Sequence, residues 1–187
     1  MKKYLLFTTV LLLYFGYSSC DRMECEDETY DIPAKYKAAV PYTGDETLTF
    51  VNDSGDTALL IGQGRTVLYD EEYISAEECD YQYNHQEDET TFKCSIPKID
   101  IEIRLYQDMD RLTFFYISIN EDGSYHFSSS SDNFFQNGDG DIDTMTVNNK
   151  LYENILHKNG THHYYTKSDG IIRFDVDSTD TWSLIPN

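Results

Sequence analysis

Basic side chains are scarce in this sequence: 14 Lys and Arg stand against 34 Asp and Glu, a formal net charge of −20. A field of that sign repels nucleic acid phosphates and anionic lipid headgroups, which disfavours a nucleic-acid partner and any charge-driven adsorption to a membrane. Long apolar runs are missing too. A helix needs roughly 20 apolar residues to span the hydrocarbon core, and the longest run, Leu5–Phe15 (LLFTTVLLLYF), falls well short. No extended helical period appears, which argues against a helical domain. The G-x-S-x-G elbow of acyl-transfer enzymes is absent, and Ser128–Ser131 is a polar run in its place. Acids are so abundant that no carboxylate pair stands out for glycoside hydrolysis, so a hydrolase is only a second alternative. Disorder is excluded by what is present: 16 Tyr and 10 Phe, with β-branched residues throughout, supply enough apolar material for one core.

The head of the chain has an order of its own. Lys2 and Lys3 precede Leu5–Phe15, and Tyr17-Ser18-Ser19 leads into Cys20, the arrangement of a secretory signal. Ser18-Ser19-Cys20 resembles the lipobox of bacterial lipoproteins, with Tyr17 where that family usually carries Leu. The resemblance implies a signal peptide over residues 1–19, cleavage before Cys20, and acyl chains of the palmitate kind on its thiol and new amine. Ordinary secretory cleavage near Ser19 is the plainer alternative. Two or more acyl chains, at about 0.8 kcal/mol per buried methylene, make a stable anchor. The expected partner is therefore a membrane, reached through covalent lipid.

Removing Lys2 and Lys3 with the head leaves 12 basic side chains against 34 acidic ones. Residues 20–40 read as the lipidated cysteine and an acidic tether, with six acids in the eleven residues Asp21–Asp31 (DRMECEDETYD). A flexible segment of that length reaches on the order of 20 Å. Acids directly after the cysteine also resemble the surface-export signal of Bacteroidetes-type lipoproteins, which implies a surface-exposed domain on the outer membrane. Otherwise these acids serve as a solvated linker, and the charge of the whole domain as a means of solubility.

Three further cysteines remain. Cys79–His85 and Thr90–Cys94 read as two strands joined by the polar Gln86–Glu89, a hairpin that would set Cys79 opposite Cys94. A disulfide there would close a loop worth about 3 kcal/mol in the chain-entropy model, in keeping with an oxidising envelope compartment. Cys25 is left over.

From Pro41 the chain is punctuated by turn residues at short intervals. Glu46–Asn52 and Asp56–Ile61 flank Asp53-Ser54-Gly55, and Thr66–Tyr69 follows Gly62-Gln63-Gly64. Ile99–Leu105 alternates strictly, aliphatics on one face and Asp100, Glu102 and Arg104 on the other. Leu112–Ile119 (LTFFYISI) is apolar on both faces, as in a strand covered on both sides. Ser124–Phe127, Ile142–Val147, Lys150–Leu156, Thr161–Lys167, Ile171–Val176 and Thr181–Ile185 continue the series, with one helical turn expected in Tyr69–Glu78 and an irregular loop at Phe134–Gly140. The expectation is one all-β domain over residues 41–187, an antiparallel meander curled into a barrel-like or two-layer sheet.

Gly44–Phe50 with Gly55-Asp56-Thr57, then Asn149–Asn154, Tyr164–Phe174 and Trp182-Ser183-Leu184 together resemble a group of small Bacteroidetes-type lipoproteins of unassigned function, over about Gly44–Leu184. The resemblance implies fold, anchoring and envelope location. It supplies no catalytic residues.

Candidate chemistry is sparse. In Asn137–Asp143, the carboxylates of Asp139, Asp141 and Asp143 alternate around two glycines, a pattern able to wrap Ca²⁺. The EF-hand frame fails, with Thr144 where its Gly belongs and Lys150 where its Glu belongs, and a solvated turn explains the same residues. His162 and His163, adjacent on a strand, point to opposite faces, which leaves His157 with His162 as a weaker metal pair. Tyr81, Tyr83, Tyr164, Tyr165 and Trp182 are the aromatics that would stack on a sugar. The reading is a non-catalytic binding or structural component of the envelope with an unidentified protein or glycan partner. Its first alternative is a surface glycan-binding module assisted by calcium.

Overall fold

The computed structural model describes residues 23–24, 27–75, 79–108, 110–121, 124–130, 142–157, 163–175 and 180–186, with the backbone alone for 23–24, 74–75, 79–81, 121, 124–130 and 142–143. The chain divides into two units, Met1–Glu28 with Glu71–Tyr83, and Thr29–Asp70 with Asn84–Asn187. In the first, strand β1 (Met23–Glu24) pairs parallel with the start of strand β5 (Cys79–Ser95), Met23 against Cys79 and Glu24 against Asp80. The Gln82 amide donates to Asp27 at 3.1 Å, and the Tyr83 hydroxyl donates to Glu72.

The second unit is built on a strongly curled antiparallel sheet that forms a half-barrel. After β2 (Glu28–Tyr30) and the short helix α1 (Ala34–Lys37) come β3 (Thr47–Asn52), β4 (Thr57–Ser75), β5 (Cys79–Ser95), β6 (Lys98–Gln107), β7 (Thr113–Glu121) and β8 (Ser124–Ser130). Then follow β9 (Ile142–Val147), β10 (Lys150–Ile155), β11 (His163–Thr166), β12 (Gly170–Asp175) and β13 (Thr181–Leu184). The order across the sheet is β11-β12-β13-β3-β4-β5-β6-β7-β8, so nearly every neighbour is also a neighbour in sequence. The exception is β13 beside β3, which brings the end of the domain against its beginning. The β9–β10 hairpin is a separate pair, joined to β11 by the Leu156–Tyr165 bridge. Asn148 and Asn149 turn that hairpin at φ of 47° and 65°, a left-handed pair that asparagine tolerates better than most residues.

Period-two patterning sets the core. On β6 the side chains Ile99, Ile101, Ile103 and Leu105 are buried, and by register they meet Phe92, Phe115, Ile117 and Ile119 of the adjacent strands. Phe50, Leu60, Phe174 and Trp182 extend the same layer.

The segment 31–42 completes it. Ile32, Tyr36, Ala39, Val40 and Tyr42 are all buried, so the packed domain begins before Pro41, earlier than the boundary expected from the sequence. The Ile32 amide donates to Gln86 at 3.1 Å, the Tyr165 hydroxyl to the Ala39 carbonyl at 2.7 Å, and the Ile171 amide to the Tyr42 hydroxyl at 2.7 Å. Burial holds the phenols of Tyr42 and Tyr165 well above the ordinary tyrosine range.

Expectations for three segments fail. Gln86–Glu89 is no turn: β5 runs unbroken through it, because Gln86 is met by Ile32 and Tyr69, and Asp88 by Arg65. Cys79 and Cys94 consequently share one strand instead of facing each other across a hairpin, and Cys94 is a free, buried thiol. Gly62-Gln63-Gly64 is no break either. The Gly62 and Gly64 amides donate to the carbonyls of Glu46 and Gly44, and a Cβ on Gly62 would lie 2.1 Å from the Gly44 oxygen, so the glycine permits a close backbone approach inside β4. The helical turn expected from Tyr69 is strand as far as Ser75.

Candidate functional site

The face of β6 and β7 opposite the core carries the arrangement that packing explains least. Alternation sends Glu102, Arg104 and Tyr106 outward from β6, and Phe114, Tyr116 and Ser118 outward from β7, all half-buried. The register pairs Tyr106 with Phe114, Arg104 with Tyr116 and Glu102 with Ser118. The upper part of this face is a row of rings: His85 to Tyr106 at 4.7 Å edge-on, Tyr106 to Phe114 at 6.0 Å, and Phe114 to Tyr116 at 6.2 Å and 28° from parallel.

Where the row ends, a groove opens. Glu102, Arg104, Tyr116 and Ser118 line it, and it holds about 450 Å³. Phe114 and the small Ser118 are the outward neighbours of Tyr116 along β7, with the Phe114 and Tyr116 ring centres 6.2 Å apart. Arg104 Nη2 donates to Glu102 Oε1 at 2.7 Å and to Glu89 Oε2 at 3.3 Å. Its Nε is shielded from solvent and has no partner, leaving one donor in reserve. Partial burial pulls the guanidinium pKa down, but the fields of Glu102, Glu87 and Glu89 prevail and leave it raised.

A second, smaller recess of about 190 Å³ lies between Leu48, Thr49, Lys150, Asp169 and the Leu184–Pro186 end. Lys150 and Asp169 are bonded there at 2.5 Å, and Asp169 also accepts from Ser168 at 2.6 Å. The hydrogen bond to Asp169 raises the Lys150 pKa despite its exposure, while at Asp169 burial is outweighed by its bonds and the carboxyl lies below its ordinary value. Tyr42 donates to the Asp169 carbonyl at 3.3 Å, and a Cβ on Gly170 would overlap the Tyr42 hydroxyl. The motifs around Asn149–Asn154 and Tyr164–Phe174 thus converge on a structural knot about Tyr42.

The residues singled out in the sequence are placed as follows. Tyr83, Tyr165 and Trp182 are buried and offer no ring to a ligand; Tyr164 is half-buried, stacked on His157 at 4.2 Å with Arg173 above it. His157 Nδ1 donates to the His163 carbonyl at 3.0 Å, and His163 is buried. Cys20, Cys25, Asp139, Asp141 and His162 lie outside the described residues, as do the side chains of Tyr81, Cys79 and Asp143. Among the described residues no three His, Cys, Asp or Glu are gathered as a metal site, and no helix is long and apolar enough to cross a membrane. The groove residues were not anticipated. The signal for them was the charged face of Ile99–Leu105 set beside the double aromatic of Leu112–Ile119. No family model matches the chain, and no curated protein or solved structure is found similar to it.

Proposed function

We propose that this chain is a lipid-anchored protein of the cell envelope, tethered at the outer membrane through Cys20 with its β domain outward, and that it works by binding a ligand. The observation that carries the binding half is the groove at the end of the aromatic row. Its charged groups are spent on one another, since Arg104 is bonded to Glu102 and Glu89. That is a fixed set of donors and acceptors of the kind that orients a bound ligand. The anchoring half rests on Lys2, Lys3, the run Leu5–Phe15 and Ser18-Ser19-Cys20, and on the resemblance to small Bacteroidetes-type lipoproteins.

Two measurements test it. Cells fed labelled palmitate should label the wild-type chain and leave Cys20→Ala unlabelled and released from membranes. Protease added to intact cells should remove an epitope placed after Asn187 while a periplasmic control survives. An unlabelled wild-type chain refutes the anchor, and a protected epitope refutes the outward orientation.

A further inference from the structure

We infer that the edge of β4 over Thr66–Asp70 pairs with the same edge of a second copy of this chain, antiparallel about a two-fold axis at Leu68, and so joins two sheets into one. The inference goes beyond the binding role proposed above and does not depend on it. Of the ten large hydrophobic residues exposed among the described residues, six lie on this one strand: Leu59, Ile61, Val67, Leu68, Tyr69 and Tyr73. Their exposure follows from how β4 is paired. β3 lies beside it from Thr57 to Ile61, and the Gly62 and Gly64 amides extend that side by their bonds to Glu46 and Gly44. Past Gly64 no described strand adjoins β4 there, while β5 is its neighbour on the other side. Val67, Leu68 and Tyr69 are 49%, 55% and 51% exposed, although successive residues of a strand face opposite ways.

An open edge offers a row of backbone donors and acceptors to any passing strand, and proteins commonly blunt it with Lys, Pro or other charge. Thr66-Val67-Leu68-Tyr69 carries none of these. Charge then selects the occupant. Arg65 precedes this run, and Asp70, Glu71 and Glu72 follow it. Parallel in-register stacking would set each acid against itself, at a cost. Antiparallel pairing centred on Leu68 sets Leu68 against Leu68, Val67 against Tyr69, Asp70 against Thr66, Glu71 against Arg65 and Glu72 against Gly64. No two acids meet. A strand whose halves complement each other in this way fits a copy of itself, and in a chain of net charge −20 the uncharged run is where two copies repel least. Because the pairing uses the edge of both partners, it closes at two.

The test is sedimentation equilibrium of the detergent-solubilised full chain in density-matched buffer, with backbone hydrogen exchange read on the same samples. Wild type should have the mass of two copies and fall to one on dilution, and the Thr66–Asp70 amides should lose protection over the same range. Leu68→Lys places two like charges on the axis and should weaken the dimer at least tenfold. Circular dichroism shows whether it is folded; Thr66→Glu, which meets Asp70 of the second copy, serves if it is not and should weaken the dimer similarly. Thr66→Lys, at the same position, should tighten it, and Leu151→Lys, on the exposed face of β10, should leave it unchanged. A single copy at every concentration overturns the inference, as does a dimer that survives both Leu68→Lys and Thr66→Glu. Protection of Thr66–Asp70 by phosphatidylcholine vesicles in a chain that stays monomeric overturns the second copy as occupant. Failure of the envelope reading is registered separately, by the missing palmitate label.

Discussion

Arg65 and Arg104 hold carboxylates at the same closest distance, 2.7 Å, and yet do different work. Arg65 reaches Asp88 with two bonds at 2.7 Å and donates further to the Tyr42 carbonyl at 2.8 Å. Asp88 is only 3% exposed, so this pair lies inside the packing that fixes the segment 31–42 to the sheet. The hydrogen bond that Arg65 donates to Asp88 is the main cause of the raised Arg65 pKa. The Arg104 side chain is 38% exposed and that of Glu102 39%. One pair is a fastener. The other is a half-exposed pair on the outer face of the sheet.

Stability measurements should separate the two regions sharply. Asp88→Ala strands a partly buried guanidinium, and denaturant unfolding should show a loss of about 3–5 kcal/mol. Glu102→Gln, in contrast, should change stability by no more than about 1 kcal/mol. A loss of several kcal/mol at Glu102 would erase the distinction between the two pairs. Truncation in the core gives a second large effect on the inner side of the same strands: Ile101→Ala should cost about 2–5 kcal/mol.

Alkali offers an independent reading of the segment 31–42. The Tyr42 and Tyr165 phenols titrate well above their unfolded value because burial opposes the anion. Below about pH 10 both states hold the proton and the contribution is complete; above it the unfolded chain ionises first. Stability should therefore fall by up to about 1.4 kcal/mol per pH unit for each phenol. Tyr165→Phe should flatten that fall, while also losing about 1 kcal/mol with its bond to Ala39. On the acid side the effect is smaller. Asp169 and Glu46 titrate below their ordinary values through the hydrogen bonds they accept, which outweigh burial. Their contribution is full above about pH 4 and is lost as pH falls through their folded values.

The fold was legible where local rules decide it. Strict alternation in Ile99–Leu105 gave β6 and its two faces, and Ile142–Val147 is a strand with the expected limits. Legibility ended where a polar residue is satisfied by a distant partner. Gln86 and Asp88 look like turn residues until Ile32 and Arg65 are beside them. The groove was half legible. Its residues sit on strands whose faces the pattern assigns, but the pairing of Arg104 with Tyr116 depends on the register set across Asp108–Leu112, where the Asp108 amide bonds the Leu112 carbonyl at 3.0 Å. Of the stacking aromatics named from composition, Tyr83, Tyr165 and Trp182 are buried in the protein instead, because an aromatic in a strand serves the core as readily as a ligand.

The most direct test sets the denaturant unfolding of Asp88→Ala beside that of Glu102→Gln. The account predicts a loss of about 3–5 kcal/mol in the first and of no more than about 1 kcal/mol in the second. Equal losses in the two variants would contradict it.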